Sequence, residues 1–368
     1  MINGTWKWTM TRDNSPKVAV AMSGGVDSSL AAALLKSDGY DVAGFMLKTW
    51  KAEHLLGSHS VIDPIESARS VANTLGIPFE VIDIQAEFRE KVVHSFIKDY
   101  QNGLTPSPCV FCNRAIKWKA MLDAADRIGA EFVATGHYAR VIRDPEGLFE
   151  LRTGKDGSKD QAYMLCMLTQ AELSRTIFPL GEYTKRRVRE LAQEFGLPTA
   201  SQQDSQDLCF LPDGDYRGFL LRYSPEVRKP GKIVDQQGNQ LGEHEGLAFY
   251  TIGQRKGLGI YRPEPLYVLE KNLERNEVVV GTRAELGHQV MVVEGVNWIS
   301  GRELDDGSVV DVKIRYKAKP VKGQITVTGK TTVKVEFKTP IRDITPGQIA
   351  VFYDDDRVLG GGVINSDR

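Results

Sequence analysis

The chain has 368 residues, 41% hydrophobic and 26% charged, values ordinary for globular proteins that exclude disordered and fibrous classes. Its 47 basic and 48 acidic side chains leave a formal charge of −1, so a polyanionic partner has to be met by local basic patches. Cores seldom grow past roughly 250 residues, which predicts two or three domains. No stretch approaches the ~18 apolar residues of a membrane span, and the opening MINGTWKWTMTRDNS lacks an apolar run, which predicts a cytoplasmic protein with no membrane partner. Four cysteines in such a chain point to thiols used for chemistry or metals rather than structural disulfides.

KVAVAM (17–22) reads as a short apolar strand, SSLAAALLKSDG as a helix closing on Gly39, and DVAGFMLKTW (41–50) as the next strand. PIESARSVANTLGI, with Pro64 suited to a first helical turn, leads into FEVIDI (79–84), and AEFREKVVHSFIKDYQNG is a further helix. Ala115, Trp118, Met121, Leu122, Ala125 and Ile128 recur at helical spacing, and EFVATG (131–136) returns to the sheet. Such alternation predicts right-handed βαβ units and a parallel sheet covered by helices on both faces. Cys109 and Cys112, in TPSPCVFCNR, then fall in a loop just before a helix. After about residue 210 the pattern changes. Residues 228–260 are rich in glycine and turn formers, and from about 285 short strands such as QVMVVEG, TVKVEF and QIAVFYD predict a small barrel or sandwich. The expected organisation is an α/β domain with a parallel sheet over residues 1–212, a small mixed or β domain over 213–284, and a β-barrel over 285–368.

The turn after the first strand, AMSGGVDSS (21–29), predicts a phosphate cradle: backbone N–H groups of a Ser-Gly-Gly turn converge on an anion at a helix N-terminus. It has neither the Walker pattern nor the dinucleotide G-x-G-x-x-G. Asp27 within it reads as a magnesium or phosphate-orienting acid that also caps the helix.

SGGVDSS resembles the pyrophosphatase loop of enzymes that adenylate a substrate oxygen and release pyrophosphate, a fold of the adenine nucleotide alpha hydrolase type. TPSPCVFCNRAIKW, ATGHYAR (134–140), GKDGSKDQAYML (154–165), SQDLCF (205–210), YTIGQRKGLGI and GQIAVFY resemble, in order and over nearly the whole chain, the motifs of the tRNA 2-thiouridylases, the MnmA family. The resemblance implies ATP- and magnesium-dependent exchange of oxygen for sulfur at C2 of the wobble uridine in tRNAs for Lys, Glu and Gln. Sulfur would come from a persulfide or sulfide donor such as a cysteine desulfurase relay. It also implies an ATP site formed by Ala21, Met22, Ser23, Gly24, Gly25, Val26, Asp27 and Ser28, with Leu47 beside the adenine and Gly136 closing over the nucleotide.

By the same resemblance Cys112 is the nucleophile and Cys209 the persulfide carrier, ending as a Cys112–Cys209 disulfide. A thiol is nucleophilic near neutral pH and can hold a terminal sulfur, and a helix starting after Cys112 would lower its pKa. The run SQQDSQD before Cys209 reads as a mobile loop, and Cys166, within AYMLCML, as a core residue. Cys109 departs from the family, whose best-known members carry aspartate there. The alternative to persulfide chemistry is a 4Fe-4S cluster with one open iron on Cys109, Cys112 and Cys209, an arrangement that resembles that of related sulfur transferases; zinc is weaker for want of a fourth ligand.

For RNA, VVDVKIRYKAK (309–319) alternates Val310, Val312, Ile314 and Tyr316 with Lys313, Arg315, Lys317 and Lys319, which predicts a strand with one packed face and one basic stripe. The resemblance adds Ser107, Pro108, Cys109, His137, Lys159, Asp160, Gln161, Arg315, Tyr316 and Gln348 as tRNA contacts. TKRRVRE (184–190) reads as a backbone-binding patch or a solvated helix face.

Overall fold

A computed structural model describes residues 15–50, 63–203, 208–211 and 214–365. The first part contains β1 (Lys17–Ala21), α1 (Val26–Ser37), β2 (Asp41–Lys48), α2 (Pro64–Leu75), β3 (Phe79–Asp83) and α3 (Gln85–Phe88). A π turn at Arg89–Val93 carries α3 into α4 (His94–Gln101), and α5 (Pro108–Cys112) runs through a second π turn at Asn113–Lys117 into α6 (Trp118–Arg127). Then come β4 (Phe132–Ala134), β5 (Ala139–Arg143), β6 (Phe149–Thr153), α7 (Gln170–Leu173), β7 (Thr176–Ile177) and α8 (Lys185–Glu194). Five strands form a parallel sheet in the order β3-β2-β1-β4-β7. Val18, Ala19 and Val20 of β1 are fully buried, as befits a central parallel strand covered on both faces. α2 starts where sequence signals place it: Asp63 accepts from the Ile65 N–H, Pro64 fills the first turn, and Gly76 closes the helix at φ +59.

Strand order reverses between β1 and β4, so their carboxyl ends open a crevice of the kind in which α/β sheets bind ligands. The turn 22–25 follows β1 and residues 135–137 follow β4, at those carboxyl ends.

The middle of the chain holds α9 (Tyr216–Tyr223) and a four-stranded sheet of β8 (Gly231–Val234), β9 (Gln240–His244), β10 (Tyr267–Asn272) and β11 (Glu277–Gly281), in the order β10-β11-β8-β9. It shares a core with α3, α4 and α5 through Phe88, Phe96, Cys112, Phe210, Phe219 and Val268. β12 (His288–Trp298), β13 (Val309–Lys313), β14 (Val321–Gly329), β15 (Thr332–Ile341), β16 (Ile349–Asp354) and β17 (Arg357–Ile364) run β12-β15-β14-β13-β16-β17, and β12 pairs again with β17 to close a six-stranded barrel. Closure leaves no open edge on the ring. The β5–β6 hairpin adds to the barrel wall through Val358 opposite Leu151, so a piece from the first half of the chain is built into the last domain.

One strand expectation is corrected. β13 ends at Lys313, and residues 314–318 form a bend and turn, so Arg315, Lys317 and Lys319 do not continue a strand face and the basic stripe does not exist as drawn. Val310, Val312 and Ile314 are buried as expected. At this turn the Arg315 guanidinium is held instead by polar partners, donating to the Ile252 carbonyl of the middle domain and to Thr345 between β15 and β16.

Candidate functional site

The turn after β1 is shaped by backbone demands. Gly24 sits at φ +81, and a Cβ there would come within 2.5 Å of the Pro64 carbonyl oxygen, so only glycine fits. Ser67 donates to the Gly24 carbonyl, while Ser28 and Ser29 both donate to that of Gly25. Gly25 is the N-cap of α1 and no side chain caps the helix, which leaves the first-turn amides to an incoming anion. Asp27 therefore is not the cap the sequence suggested. Both its oxygens accept from the Lys185 ammonium, at 2.7 and 2.8 Å, and Oδ1 also accepts from the Tyr138 hydroxyl at 2.8 Å. Met22, Val26 and Ser28 are buried, Ala21 and Gly25 half-buried and Ser23 exposed, so the segment presents backbone more than side chains. Leu47 lies near the end of β2, half-buried beside the core that contains Val110 and Trp118. Gly136 presses on the cradle so closely that a Cβ would meet the backbone of Asp27 and Ser28 at 2.7 Å.

The thiols are placed differently from the sequence expectation. Cys109 and Cys112 lie within α5, not in a loop before a helix, since Pro108 starts that helix. Cys112 ends it and is 3% exposed in a core with Phe88 and Phe210. Burial pushes its thiol up to about 12, opposed by the Lys117 ammonium, so the expected lowering by a helix N-terminus does not occur. The Cys109 thiol is raised for the same reason. The π turn adds a residue to the helical repeat, with the Trp118 N–H reaching the Asn113 carbonyl, and carries Lys117 round to where its charge acts on Cys109, Cys112 and Cys209. Cys209 is exposed in the turn between Leu208 and Leu211, anchored by Phe210, whose ring packs at 5.1 Å from Phe96 and 5.5 Å from Phe219. The polar run before it falls largely outside the described residues. Cys166 is fully buried, as expected. All four thiols are free.

Among the described residues no group of three or more His, Cys, Asp or Glu side chains is arranged to hold a metal. Of the three cysteines, Cys209 stands exposed at a turn, Cys109 is half-buried and Cys112 is sealed in the core. Alkylation checks this geometry. Iodoacetamide at pH 8 should modify Cys209 at least about tenfold faster than Cys112 or Cys166, and the Cys112 rate should climb about tenfold per pH unit to pH 10 without a plateau near 9. Mass spectrometry of tryptic peptides reads both; equal rates would contradict the burial.

The residues the resemblance assigns to tRNA mostly have internal partners. Tyr316 donates to the Asp160 carbonyl at 2.8 Å, and Gln348 donates to those of Thr105 and Pro106, just ahead of Ser107 and Pro108, so barrel residues brace the approach to α5. The buried Asp160 carboxylate accepts from the Gly154 and Ala162 N–H groups, and Gln161 accepts from the Tyr138 N–H. Lys159 is half-buried in the same segment. His137 hydrogen-bonds Thr135 at 2.7 Å between the rings of Trp118 and Phe178; burial and the Lys117 charge lower its pKa to about 3, so it is neutral. In α8, Arg186 pairs with Glu190, and Arg187 with Glu190 and Glu194, which makes most of this run a self-neutralised helix face. Sequence reasoning missed Lys185, Tyr138 and Lys117. The first was hidden in a basic run, and the others stood inside quoted motifs with no periodic signal.

The family described as tRNA methyl transferase HUP domain matches residues 16–213, tRNA methyl transferase PRC-barrel domain matches 217–282, and aminomethyltransferase beta-barrel domain matches 288–364. The chain is 45% identical to a tRNA-specific 2-thiouridylase MnmA of Lachnoclostridium phytofermentans, over 95% of this chain and 99% of the relative. It is 47% identical to one of Magnetococcus marinus, over 95% and 98%. A 4-thiouridine synthetase–RNA complex with bound ATP is 17% identical with a TM-score of 0.34, over 53% of this chain and 44% of that one, a likeness too slight to bear on function.

Proposed function

We propose a sulfur-transfer sequence from one premise: this chain belongs to the tRNA-specific 2-thiouridylase (MnmA) family and performs ATP-dependent 2-thiolation of tRNA. The observation that carries the sequence is that the thiol-bearing helix α5 shares a core, through Val110, with Ala21 at the end of β1 just before the cradle and with Leu47 near the end of β2. ATP lies along residues 21–28 with Leu47 and Gly136 beside it. The C2 oxygen of uridine 34, in tRNAs for Lys, Glu and Gln, attacks the α-phosphorus, and pyrophosphate leaves. C2 then carries AMP as a leaving group.

Magnesium needs only one or two protein carboxylates when phosphate oxygens complete its shell; Asp27, held in this structure by Lys185 and Tyr138, would be its protein ligand once released from that pair, where the ion would neutralise triphosphate charge. Sulfur arrives from a persulfide donor and rests on Cys209, whose exposure suits delivery by another protein. The Cys112 thiol, raised by burial against the pull of the Lys117 ammonium, gives up its proton and as thiolate attacks Sγ of Cys209. The persulfide S–S bond breaks, hydrosulfide leaves, and a Cys112–Cys209 disulfide forms. Two electrons thus pass from the two thiols to the terminal sulfur. Hydrosulfide adds to C2, AMP departs, and a cytoplasmic thiol reductant restores the pair. No step runs through an iron-sulfur cluster.

Residues 1–212 supply the catalytic chemistry, and residues 213–284 and 285–368 supply the frame and tRNA contacts around Ser107, Pro108, Lys159, Gln161 and Arg315. Incubation with ATP, a persulfide source and unmodified tRNA(Glu) transcript should give 2-thiouridine at position 34 by nucleoside mass spectrometry. Modification at another base, or none without a metabolite cosubstrate, would overturn the reading.

A further inference from the structure

Four cations lie side by side in TKRRVRE, and three stay local. Arg186 and Arg187 pair with glutamates of α8, and Arg189 donates to the carbonyls of Ala200 and Gln202. Lys185 does not. Its side chain is 12% exposed and reaches Asp27, in the first turn of α1, with both carboxylate oxygens accepting from it. Its own N–H donates to Asp156 at 2.9 Å, and Thr184 caps the helix by accepting from Arg187, so the stem of the side chain is fixed at both ends.

An ion pair in this place has an electrostatic consequence. The cradle binds an anion through amides of the same turn that bears Asp27, and a bare carboxylate there would repel that anion. Lys185 cancels the charge. Its ammonium also lies 5.8 Å from the centroid of the Tyr138 ring, whose hydroxyl holds the same carboxylate, so cation, acid and phenol form one unit at the crevice. At 12% exposure Lys185 is poorly placed for an RNA backbone outside, and well placed for a phosphate inside.

We propose that Lys185 is a phosphate-positioning residue of the ATP site. It holds Asp27 in the nucleotide-free protein and faces the triphosphate when ATP binds, while Asp27 turns toward the cation that accompanies the nucleotide. This rests on reading residues 21–28 as the ATP cradle. The residue is a compact point charge, suited to shift between a carboxylate and a phosphate without the fixed fork of arginine.

The test measures ATP and tRNA dissociation constants on the full chain for Lys185→Met, Lys185→Gln and Lys185→Arg. Loss of one charge-assisted hydrogen bond predicts ATP binding about 10- to 100-fold weaker in the Met and Gln variants. Binding of tRNA should stay within about twofold of wild type, and the Arg variant should regain part of the ATP affinity. If Lys185→Met does not fold, Lys185→Gln, which keeps a hydrogen bond to Asp27, decides alone. Unchanged ATP affinity in a folded neutral variant, or an equal fall in ATP and tRNA affinity, would overturn the proposal. A wild-type protein that bound no ATP would instead remove the cradle reading beneath it.

Discussion

Cys209→Ser should abolish 2-thiouridine formation, by about a thousandfold or more, while ATP and tRNA affinities stay within about twofold of wild type. The side chain is exposed at the tip of a turn held by the Leu208–Leu211 bridge and by Phe210 in the aromatic core, so losing one sulfur leaves the backbone in place. A hydroxyl cannot carry a sulfane sulfur, so the loss is chemical. Cys112→Ser should be equally inactive but fail one step later: Cys209 would still accept sulfur and, with nothing to displace it, accumulate as a persulfide one sulfur atom heavier by intact mass. The pair separates carrier from displacing nucleophile. Full activity in Cys209→Ser would remove the carrier role, and persulfide on Cys112 rather than Cys209 would reverse the assignment.

What the sequence made legible follows from how local each signal was. β1, α1, β2, α2 and β3 were readable because apolar runs, Pro64 and closing glycines act within a few residues, and the phosphate turn was readable because Gly24 satisfies a purely local backbone need. The basic stripe of 309–319 failed because alternation predicts a strand only while nothing else competes for the backbone; there Arg315 and Tyr316 are tied to Ile252, Thr345 and Asp160 by long-range hydrogen bonds. The Cys112 environment failed similarly. A helix start was legible nearby, but the burial that raises its pKa comes from a core that draws in distant residues such as Phe88 and Phe210. Lys185 and Asp27 are 158 positions apart, and their pairing leaves no trace in any window of sequence.

Gly136→Ala should weaken ATP binding by at least about tenfold and lower stability by about 1–3 kcal/mol, the usual range for overpacking a tight contact. The added methyl would lie 2.7 Å from the Asp27 carbonyl carbon and the Ser28 nitrogen, and these are backbone atoms that cannot rotate away. Either the segment after β4 lifts from α1, or the first turn of α1 tilts. A tilt would misdirect the amides meant for phosphate and pull Asp27 from Lys185 and Tyr138, so both routes damage the nucleotide site. Gly157→Ala is the matched control: it lies in the segment linked by Lys185 and Asp156 to the same site, but a Cβ there meets nothing within 4 Å, and it should bind ATP as wild type does. Binding of tRNA by Gly136→Ala, measured by filter retention, should change less than twofold, since the approach to α5 is braced from the barrel by Gln348 and not from this contact. An alanine variant with wild-type ATP affinity would mean that β4 and the cradle move independently, and that the closeness of Gly136 serves packing alone.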